Sequence, residues 1–224
     1  MRLAGGDRRY AAVLLDFRGI LVHDHPSQWW ISRALERVGR PAVPDDVERL
    51  AAALDTIPDL PGYEDDQARI DTSLEVNREI TLRWLAAVGF DDELAEALWS
   101  FDCEPEAWPV YPDAAAVVGA IRAAGCATSL VSDFHVDLRP YLREHGIELD
   151  AYVISFEHGF QKPDPRMFVT ALELLGVSAG DALMVGDRVS HDGGAAAVGV
   201  DTLILPAPRG FGPRGLDVIL GMLG

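Results

Sequence analysis

Short, uninterrupted runs of apolar residues occur near the N-terminal end of the chain and throughout its second half. The runs are continuous rather than alternating, which is typical of parallel strands that are covered on both faces. We predict strands in five of them: Ala11–Phe17, Cys126–Asp133, Ala151–Ser155, Asp181–Asp187 and Asp201–Pro206.

Helical periodicity separates the later apolar runs. Pro165–Leu175 carries start and stop signals, with Asp164 as N-cap, Pro165 at the first helical position and Gly176 after the last. Two further helices are predicted over Asp113–Ala124 and Val136–His145. Repeated strand, helix, strand units predict an α/β fold with a doubly wound parallel sheet.

The first and second predicted strands are unusually far apart. More than a hundred residues separate Phe17 from Cys126, whereas a crossover connection needs far fewer. Helical patterns fill the interval: Gln28–Val38, Asp45–Leu54, Asp66–Val88 and Asp92–Phe101. We therefore predict a small α-helical domain over residues 26–108, hinged near Pro26 and Pro109, on an α/β core of residues 1–25 and 109–224.

The net charge changes the range of possible partners. The 224 residues carry a formal charge of −17, so a phosphate backbone would be repelled and nucleic-acid binding is disfavoured. Between Ser27 and Trp108 there are 19 acidic and 7 basic residues, a net of −12, so the insert and the core present different surfaces.

Cysteine usage and apolar segments bear on the compartment. Cys103 and Cys126 are the only cysteines, which supports no disulfide framework and suits a reducing compartment. The apolar run Ala11–Leu15 is too short for a signal peptide, and no stretch approaches a membrane span. We expect a cytoplasmic protein.

Polar side chains terminate three of the predicted strands. Asp16 ends the first apolar run, Ser132 and Asp133 end the second, and Asp187 ends the fourth. Ligands of open parallel sheets bind beyond the carboxyl ends of the strands, so these side chains are expected to meet at one cleft. An isolated aspartate at such a position more often caps a helix or starts a turn, but three strand ends together are harder to explain in that way.

The composition of basic residues singles out one further position. Eighteen of the nineteen basic side chains are arginine, and Lys162 is the only lysine. Its compact ammonium is suited to holding negative charge in a tight pocket. With Asp16 as the attacking carboxylate, Ser132 and Lys162 could neutralise charge on an electrophile. The acidic pair Asp187 and Asp192 could hold a hard cation. This combination suits phosphoryl transfer through an aspartyl-phosphate.

The order of these residues resembles the haloacid dehalogenase-like (HAD) hydrolase superfamily. The resemblance covers nearly the whole chain and includes a helical cap domain inserted after the first motif. The segments that carry it are Asp16-Phe17-Arg18-Gly19-Ile20-Leu21, Val131-Ser132-Asp133, Lys162-Pro163-Asp164-Pro165 and Gly186-Asp187-Arg188-Val189-Ser190-His191-Asp192.

The resemblance implies a role for each matched residue. Asp16 would be the nucleophile, Ser132 would bind the phosphoryl oxygens, and Lys162 would neutralise nucleophile and phosphate. Asp187 would bind Mg²⁺, with Asp192 assisting it or orienting Lys162. The positions expected to contact substrate are Arg18, Gly19, Ser132, Asp133 and Lys162, and those expected at the metal are Asp16, Arg18, Asp187 and Asp192.

Arg18 departs from the pattern of the family's phosphatases. Those enzymes place an aspartate there as general acid and base, and a guanidinium cannot exchange a proton in that way. Either the substrate has a leaving group that needs no proton, or a downstream residue supplies it, or catalysis is lost. The candidates for such a downstream proton donor are His23, Asp24 and His25, although a solvated hinge between core and insert explains the two histidines more simply.

Three functions follow from these motifs. We predict a Mg²⁺-dependent phosphatase-type hydrolase of a small organic phosphate, acting as a monomer or homodimer. A metal-independent dehalogenase is an alternative, since halide departs without a proton. A non-catalytic phosphate-binding regulatory protein is another, in which the Arg18 cation takes the place of the metal beside Asp16 and Asp187.

Overall fold

The computed structural model describes residues 9–206, 208 and 210–224, and this part of the chain contains one five-stranded parallel sheet in the order β3-β2-β1-β4-β5. The strands are β1 (Ala12–Leu15), β2 (Ala127–Ser132), β3 (Ala151–Ile154), β4 (Ala182–Gly186) and β5 (Asp201–Ile204). Each lies inside an apolar run predicted to be a strand, and the doubly wound α/β class is confirmed. The predicted core segments also include residues 1–8, 207 and 209, which lie outside the described residues.

Alternate residues of the central strand β1 face two different hydrophobic cores. Val13 and Leu15 pack in one cluster together with Ile121, whereas Ala12 and Leu14 pack in another together with Phe168. All four β1 side chains are fully buried. Burial on both faces explains why the strand appears in the sequence as a continuous apolar run.

Five α-helices in the described residues occupy the long interval between β1 and β2. They are α1 (Ser27–Arg37), α2 (Pro44–Leu54), α3 (Tyr63–Gln67), α4 (Leu74–Ala87) and α5 (Asp92–Asp102), with 3₁₀ turns at Ile57–Asp59, Ile70–Thr72 and Pro105–Ala107. We call residues 27–108 the insert. Its helices enclose a third hydrophobic cluster of their own, which includes Ile31, Leu50, Leu85, Leu94 and Phe101.

The predicted single helix Asp66–Val88 is wrong. The chain leaves α3 at Gln67, makes the 3₁₀ turn, and starts α4 anew with Ser73, whose side chain accepts a hydrogen bond from the Val76 amide at 3.2 Å. The backbone of Asp71 is held by side chains of the core instead of by a helix. Tertiary contacts therefore override a continuous helical pattern here.

Helices on both faces complete the core. They are α6 (Ala114–Ala123), α7 (Arg139–Glu144), α8 (Ser155–His158), α9 (Pro165–Leu175), α10 (Val189–Asp192) and α11 (Asp217–Met222), with 3₁₀ turns at Ala179–Asp181 and Gly193–Val198. The predicted bounds and cap of α9 are confirmed, because the Asp164 side chain accepts from the Arg166 amide and Gly176 is left-handed. The helix α7 is shorter than the predicted Val136–His145, since Pro140 fits only in a first helical turn.

The two segments that join core and insert run side by side. The His23 amide donates to the carbonyl of Pro109 at 2.8 Å, and Val22 forms an isolated bridge with Val110. Within the described residues, no helix combines the length and hydropathy that a membrane crossing requires.

Candidate active site

A cavity of about 430 Å³ lies at the carboxyl edge of the sheet, between the core and the insert. Asp16 enters it after β1, Asp133 after β2 and Asp187 after β4, together with Lys162 from the loop before α9. Ser132 ends β2 and is buried, and its Oγ has no hydrogen-bond partner among the described residues. The sheet topology thus brings Asp16, Asp133 and Asp187 to one cavity, as parallel strands do, whereas Ser132 is not among the residues described around it.

Lys162 lies at the centre of this group with only 2% of its surface exposed. Its Nζ is 2.8 Å from Asp16 Oδ1 and 2.6 Å from Asp192 Oδ1, while its amide donates to Asp133 Oδ1 at 2.7 Å. Burial alone would lower the pKa of Lys162, but the carboxylates of Asp16, Asp192 and Asp133 raise it above its usual range. The ammonium therefore stays charged and pairs with the carboxylates around it.

The pKa values of the carboxyl groups at the strand ends, Asp16, Asp133 and Asp187, are raised above their usual range. Burial raises the pKa of Asp16 to about 8 and that of Asp133 to about 7, with the Lys162 ammonium opposing both shifts. Burial also raises the pKa of Asp187, and Asp192 adds to the shift. Such crowding favours a bound cation, because a cation lowers the pKa values of carboxylates around it.

One oxygen each of Asp16, Asp187 and Asp192 lies within 4.8 Å of the others. Asp187 Oδ1 is buried and has no hydrogen-bond partner in the described part of the chain. The two oxygens of Asp192 are already engaged, one by Lys162 Nζ and one by the Arg188 amide at 2.9 Å. The donor set fits a hard cation such as Mg²⁺, with Asp16 and Asp187 better placed to hold it than Asp192.

Gly19 provides space for Asp187. Its φ is +71°, and a Cβ at this position would collide with Asp187 Oδ2. Its amide already donates to the Val22 carbonyl at 2.9 Å, and its carbonyl accepts from Arg214. Gly19 lines the cavity, but its backbone is engaged in the turn that follows β1.

We expect Gly19→Ala to destabilise the protein more than Gly146→Ala. Gly146 has nearly the same φ, +70°, but nothing lies within 4 Å of the place that an alanine methyl group would take, so that variant incurs only the backbone cost. The alanine at position 19 also collides with Asp187, which adds about 1–3 kcal/mol. Urea unfolding of both variants measures the difference, and equal losses would contradict the close approach of Gly19 to Asp187.

The structure places the Arg18 side chain away from the carboxylate cluster. Its Nη2 donates to Asp102 of α5 at 3.0 Å, and its guanidinium lies 4.1 Å from the ring centre of Trp108 and 4.8 Å from that of Phe134. The alternative in which this cation occupies the metal's place between Asp16 and Asp187 is therefore wrong. Arg18 lines the cavity, and its guanidinium is held by Asp102 and Trp108 of the insert and by Phe134 of the core.

The candidate proton donors downstream of Arg18 are placed unequally. His23 lines the cavity, and its Nδ1 is buried without a hydrogen-bond partner among the described residues. Asp24 also lines the cavity but is exposed. His25 stacks on Trp29 with 3.7 Å between ring centres and is not among the residues described around the cavity.

Several cavity residues were not found from the sequence. Gln161 and Arg188 are adjacent to Lys162 and Asp187, so proximity to a motif was a usable signal for them. His191 also lines the cavity, and burial lowers its pKa to about 4, which keeps the ring neutral near pH 7. The insert residues that line the cavity are Tyr63, Gln67 and Asp71. They belong to no motif, so the sequence gives no signal for them.

A doubly wound α/β core with a buried Asp–Lys–Asp cluster at its carboxyl edge is typical of an enzyme. A family model described as haloacid dehalogenase-like hydrolase matches residues 10–199. The chain belongs to the haloacid dehalogenase-like hydrolase family, and the resemblance predicted from its motifs is confirmed at that level.

Named relatives include both phosphatases and dehalogenases. Phosphoserine phosphatase of Thermus thermophilus is 37% identical over 123 residues, covering 51% of this chain and 48% of that protein. (S)-2-haloacid dehalogenase 1 of Pseudomonas sp. is 34% identical over 112 residues, covering 46% and 49%. The chain spans about half the length of the curated relatives it matches.

Solved structures share the fold over nearly the whole chain. The HAD-hydrolase YfnB of Bacillus subtilis, described as bound to magnesium, superposes with a TM-score of 0.72 at 20% identity. The match covers 96% of this chain and 99% of that one.

Proposed function

We propose that the chain is a phosphatase-type hydrolase that cleaves a small organic phosphate through an aspartyl-phosphate on Asp16. The observation that carries the proposal is the Asp16–Lys162–Asp192 cluster, with the unpartnered oxygen of Asp187 beside it. A carboxylate can attack a phosphate dianion only where positive charge offsets the repulsion between them. Lys162 and a cation held at the carboxylates would provide that charge.

Asp16 Oδ2 is the attacking atom in this proposal. Oδ1 accepts hydrogen bonds from the Phe17 amide at 2.7 Å and from Lys162, while Oδ2 has no donor among the described residues. As Oδ2 bonds to phosphorus, the bond from phosphorus to the leaving oxygen breaks, and that oxygen takes the electron pair. Water then attacks phosphorus, the bond to Oδ2 breaks, and orthophosphate leaves with Asp16 regenerated.

The other residues stabilise charge during these steps. The Ser132 hydroxyl would donate to a phosphoryl oxygen, which gives its unpartnered Oγ a role. Mg²⁺, when held by Asp16 and Asp187, would neutralise charge on the phosphate. Asp192 would act by orienting Lys162, to which it is bonded at 2.6 Å.

Without a carboxyl group at position 18, the site is limited to leaving groups that depart without being protonated. With Arg18 bound to Asp102, no proton donor stands at this position. We therefore propose substrates such as acyl or aryl phosphates, whose leaving oxygen tolerates negative charge. His23 is the candidate for a replacement donor, since it lines the cavity.

A dehalogenase is the second candidate, because Arg18 leaves the nucleophile loop without a second carboxylate and one relative is a dehalogenase. Asp16 would then attack carbon, and halide would leave with the electron pair. The crowding of Asp16, Asp187 and Asp192 weighs against this function, since three clustered carboxylates suit a site that holds a cation.

A phosphate mimic with metal should separate these functions. We expect beryllium fluoride with Mg²⁺ to stabilise the protein by about 2.7 kcal/mol at a hundredfold excess over Kd, a rise in Tm of about 5–10 °C. Asp16→Asn should abolish the shift, because the mimic bonds to the aspartate oxygen. Differential scanning calorimetry measures both.

The contrary outcomes are equally distinct. No shift in the wild type, together with hydrolysis of 2-chloropropionate in the presence of EDTA, would support the dehalogenase instead. A shift that survives Asp16→Asn would mean that the mimic binds away from the proposed nucleophile.

The proposed partner is a small phosphorylated molecule, consistent with a net charge of −17 that disfavours nucleic acid. The state of assembly, monomer or homodimer, stays a prediction. A reducing compartment such as the cytoplasm also stays a prediction, with both Cys103 and Cys126 present as free thiols.

A further inference from the structure

Gln161, directly before Lys162, connects the core to the insert with both ends of its amide. Its Oε1 accepts from the Asp71 amide at 2.9 Å, and its Nε2 donates to the Gln67 carbonyl at 2.8 Å. The side chain is buried, with 4% of its surface exposed. Neither bond serves the folding of the core itself, because both partners belong to the insert backbone.

The partners of Gln161 form the insert's side of the cavity. Of the described residues that line the cavity, three come from the insert: Tyr63, Gln67 and Asp71. Gln161 holds two of these three directly, and Tyr63 begins the same short helix, α3, that Gln67 ends. We call residues 63–72 the insert wall.

Two further core side chains hold the same segment. Ser155 Oγ donates to the Asp71 carbonyl at 2.5 Å, and His135 Nδ1 lies 3.0 Å from Asp71 Oδ1. These contacts are made at Asp71, in the break between α3 and α4. The break therefore lets the insert wall contact the core.

Lys162 is held independently of the insert. Within the described residues its hydrogen-bonding and ionic partners are Asp16, Asp192 and Asp133, and all three belong to the core. The loss of the Gln161 side chain would therefore loosen the insert wall, which Ser155 and His135 still hold at Asp71, while leaving Lys162 beside Asp16.

We propose that Gln161 is a positioning residue that sets the place of the insert wall over the cavity and thereby the size of leaving group that the site binds. The inference rests on the proposed phosphatase function for its kinetic consequences. A phosphoryl group at Asp16 contacts the core, whereas a large leaving group reaches the wall. Gln161 thus contributes to binding of the leaving group and not to the chemical step.

The test is Gln161→Met, which keeps the length of the side chain and removes both hydrogen bonds. We expect KM for 1-naphthyl phosphate to rise about tenfold, as loss of two buried hydrogen bonds would allow. We expect kcat for this ester, and both constants for acetyl phosphate, to stay unchanged. Gln28→Met is the matched control, since Gln28 is exposed on α1 and its side chain bonds only Glu48 among the described residues.

If Gln161→Met folds poorly, a second variant and a spectroscopic measurement test the same role. Ser155→Ala removes another bond to Asp71, together with the bonds of Ser155 Oγ to the Phe134 backbone, and should give the same selective rise in KM. Lys162 is the only lysine, so lysine labelled with ¹⁵N at Nζ gives a single side-chain ammonium resonance, which reports the Asp16 and Asp192 contacts and should not move in either variant. An unchanged KM for the naphthyl ester overturns the proposal. A kcat loss shared by both substrates, or a displaced Lys162 resonance, also overturns it.

Failure of the phosphatase function can be told apart from failure of this inference. If the wild type hydrolyses neither 1-naphthyl phosphate nor acetyl phosphate, the proposed function fails, and hydrogen exchange tests Gln161 instead. Amides throughout residues 63–70, beyond the bonded Asp71, should exchange faster in Gln161→Met than in the wild type or Gln28→Met. Equal exchange in all three proteins would overturn the positioning role.

Discussion

Asp16→Asn should lower kcat/KM for an aryl phosphate by at least about 10⁴-fold, a loss of about 5.5 kcal/mol of transition-state stabilisation. The carboxamide cannot form the acyl phosphate, so the two-step route is lost rather than slowed. The Lys162–Asp192 pair at 2.6 Å remains, and the ammonium stays in place to bind phosphate. Steady-state kinetics with p-nitrophenyl phosphate and Mg²⁺ measures the loss.

A surface aspartate of the core supplies the control for this variant. Asp181 is exposed and precedes β4, so Asp181→Asn should leave kcat/KM unchanged. Circular dichroism of both variants checks that the fold persists. Residual activity of Asp16→Asn within tenfold of the wild type would remove Asp16 from the chemical step and contradict the aspartyl-phosphate.

The second large effect concerns Arg18 and the acidity of the leaving group. For the wild type we expect the rate to fall steeply from nitrophenyl and acyl phosphates to alkyl phosphates, because no donor at position 18 protonates an alkoxide. General acid catalysis contributes about 10²- to 10⁴-fold, so a restored donor should recover alkyl phosphate hydrolysis by a factor in that range. A series of phosphate esters of graded leaving-group pKa measures the slope.

The structure determines how that donor has to be introduced. Arg18→Asp alone would place a second carboxylate next to Asp102, now without its arginine at 3.0 Å, and the two like charges would repel. We therefore expect the double variant Arg18→Asp/Asp102→Asn to flatten the dependence on leaving-group acidity, and the single variant to do so less. Asp102→Asn alone is the control and should keep the steep slope.

Two results would contradict this account. If the wild type hydrolyses alkyl phosphates as well as aryl phosphates, another group already donates the proton, and His23→Gln should then remove that activity. If the double variant keeps the steep slope while it still binds orthophosphate, position 18 does not face the leaving oxygen.

Much of the core and of the site was predictable because the information is local. A strand buried on both faces, such as β1, is continuous in apolar residues. The helix α9 carries its own cap and stop. Parallel strands all end at one edge, so Asp16 and Asp187 could be expected near each other from order along the chain alone.

What sequence reasoning missed depends on contacts between distant residues. Arg18 faces Asp102, 84 positions away, and nothing near Arg18 in the chain indicates that orientation. Likewise the break between α3 and α4 depends on Gln161, 90 positions from Asp71. The periodicity of apolar residues indicates which face of a helix or strand is buried. It contains no information about which distant residues pair with each other.

The separate hydrophobic cluster of the insert has a consequence for how this protein can change over evolution. Residues such as Leu50 and Leu94 pack among themselves, while the core clusters support Asp16, Lys162 and Asp187. If the insert wall selects the leaving group as proposed, mutations within the insert cluster would change which molecules are accepted, and their effects on stability would add to those of distant core residues. Selection for a new substrate would then act on the insert cluster while the two core clusters continue to support the reacting groups.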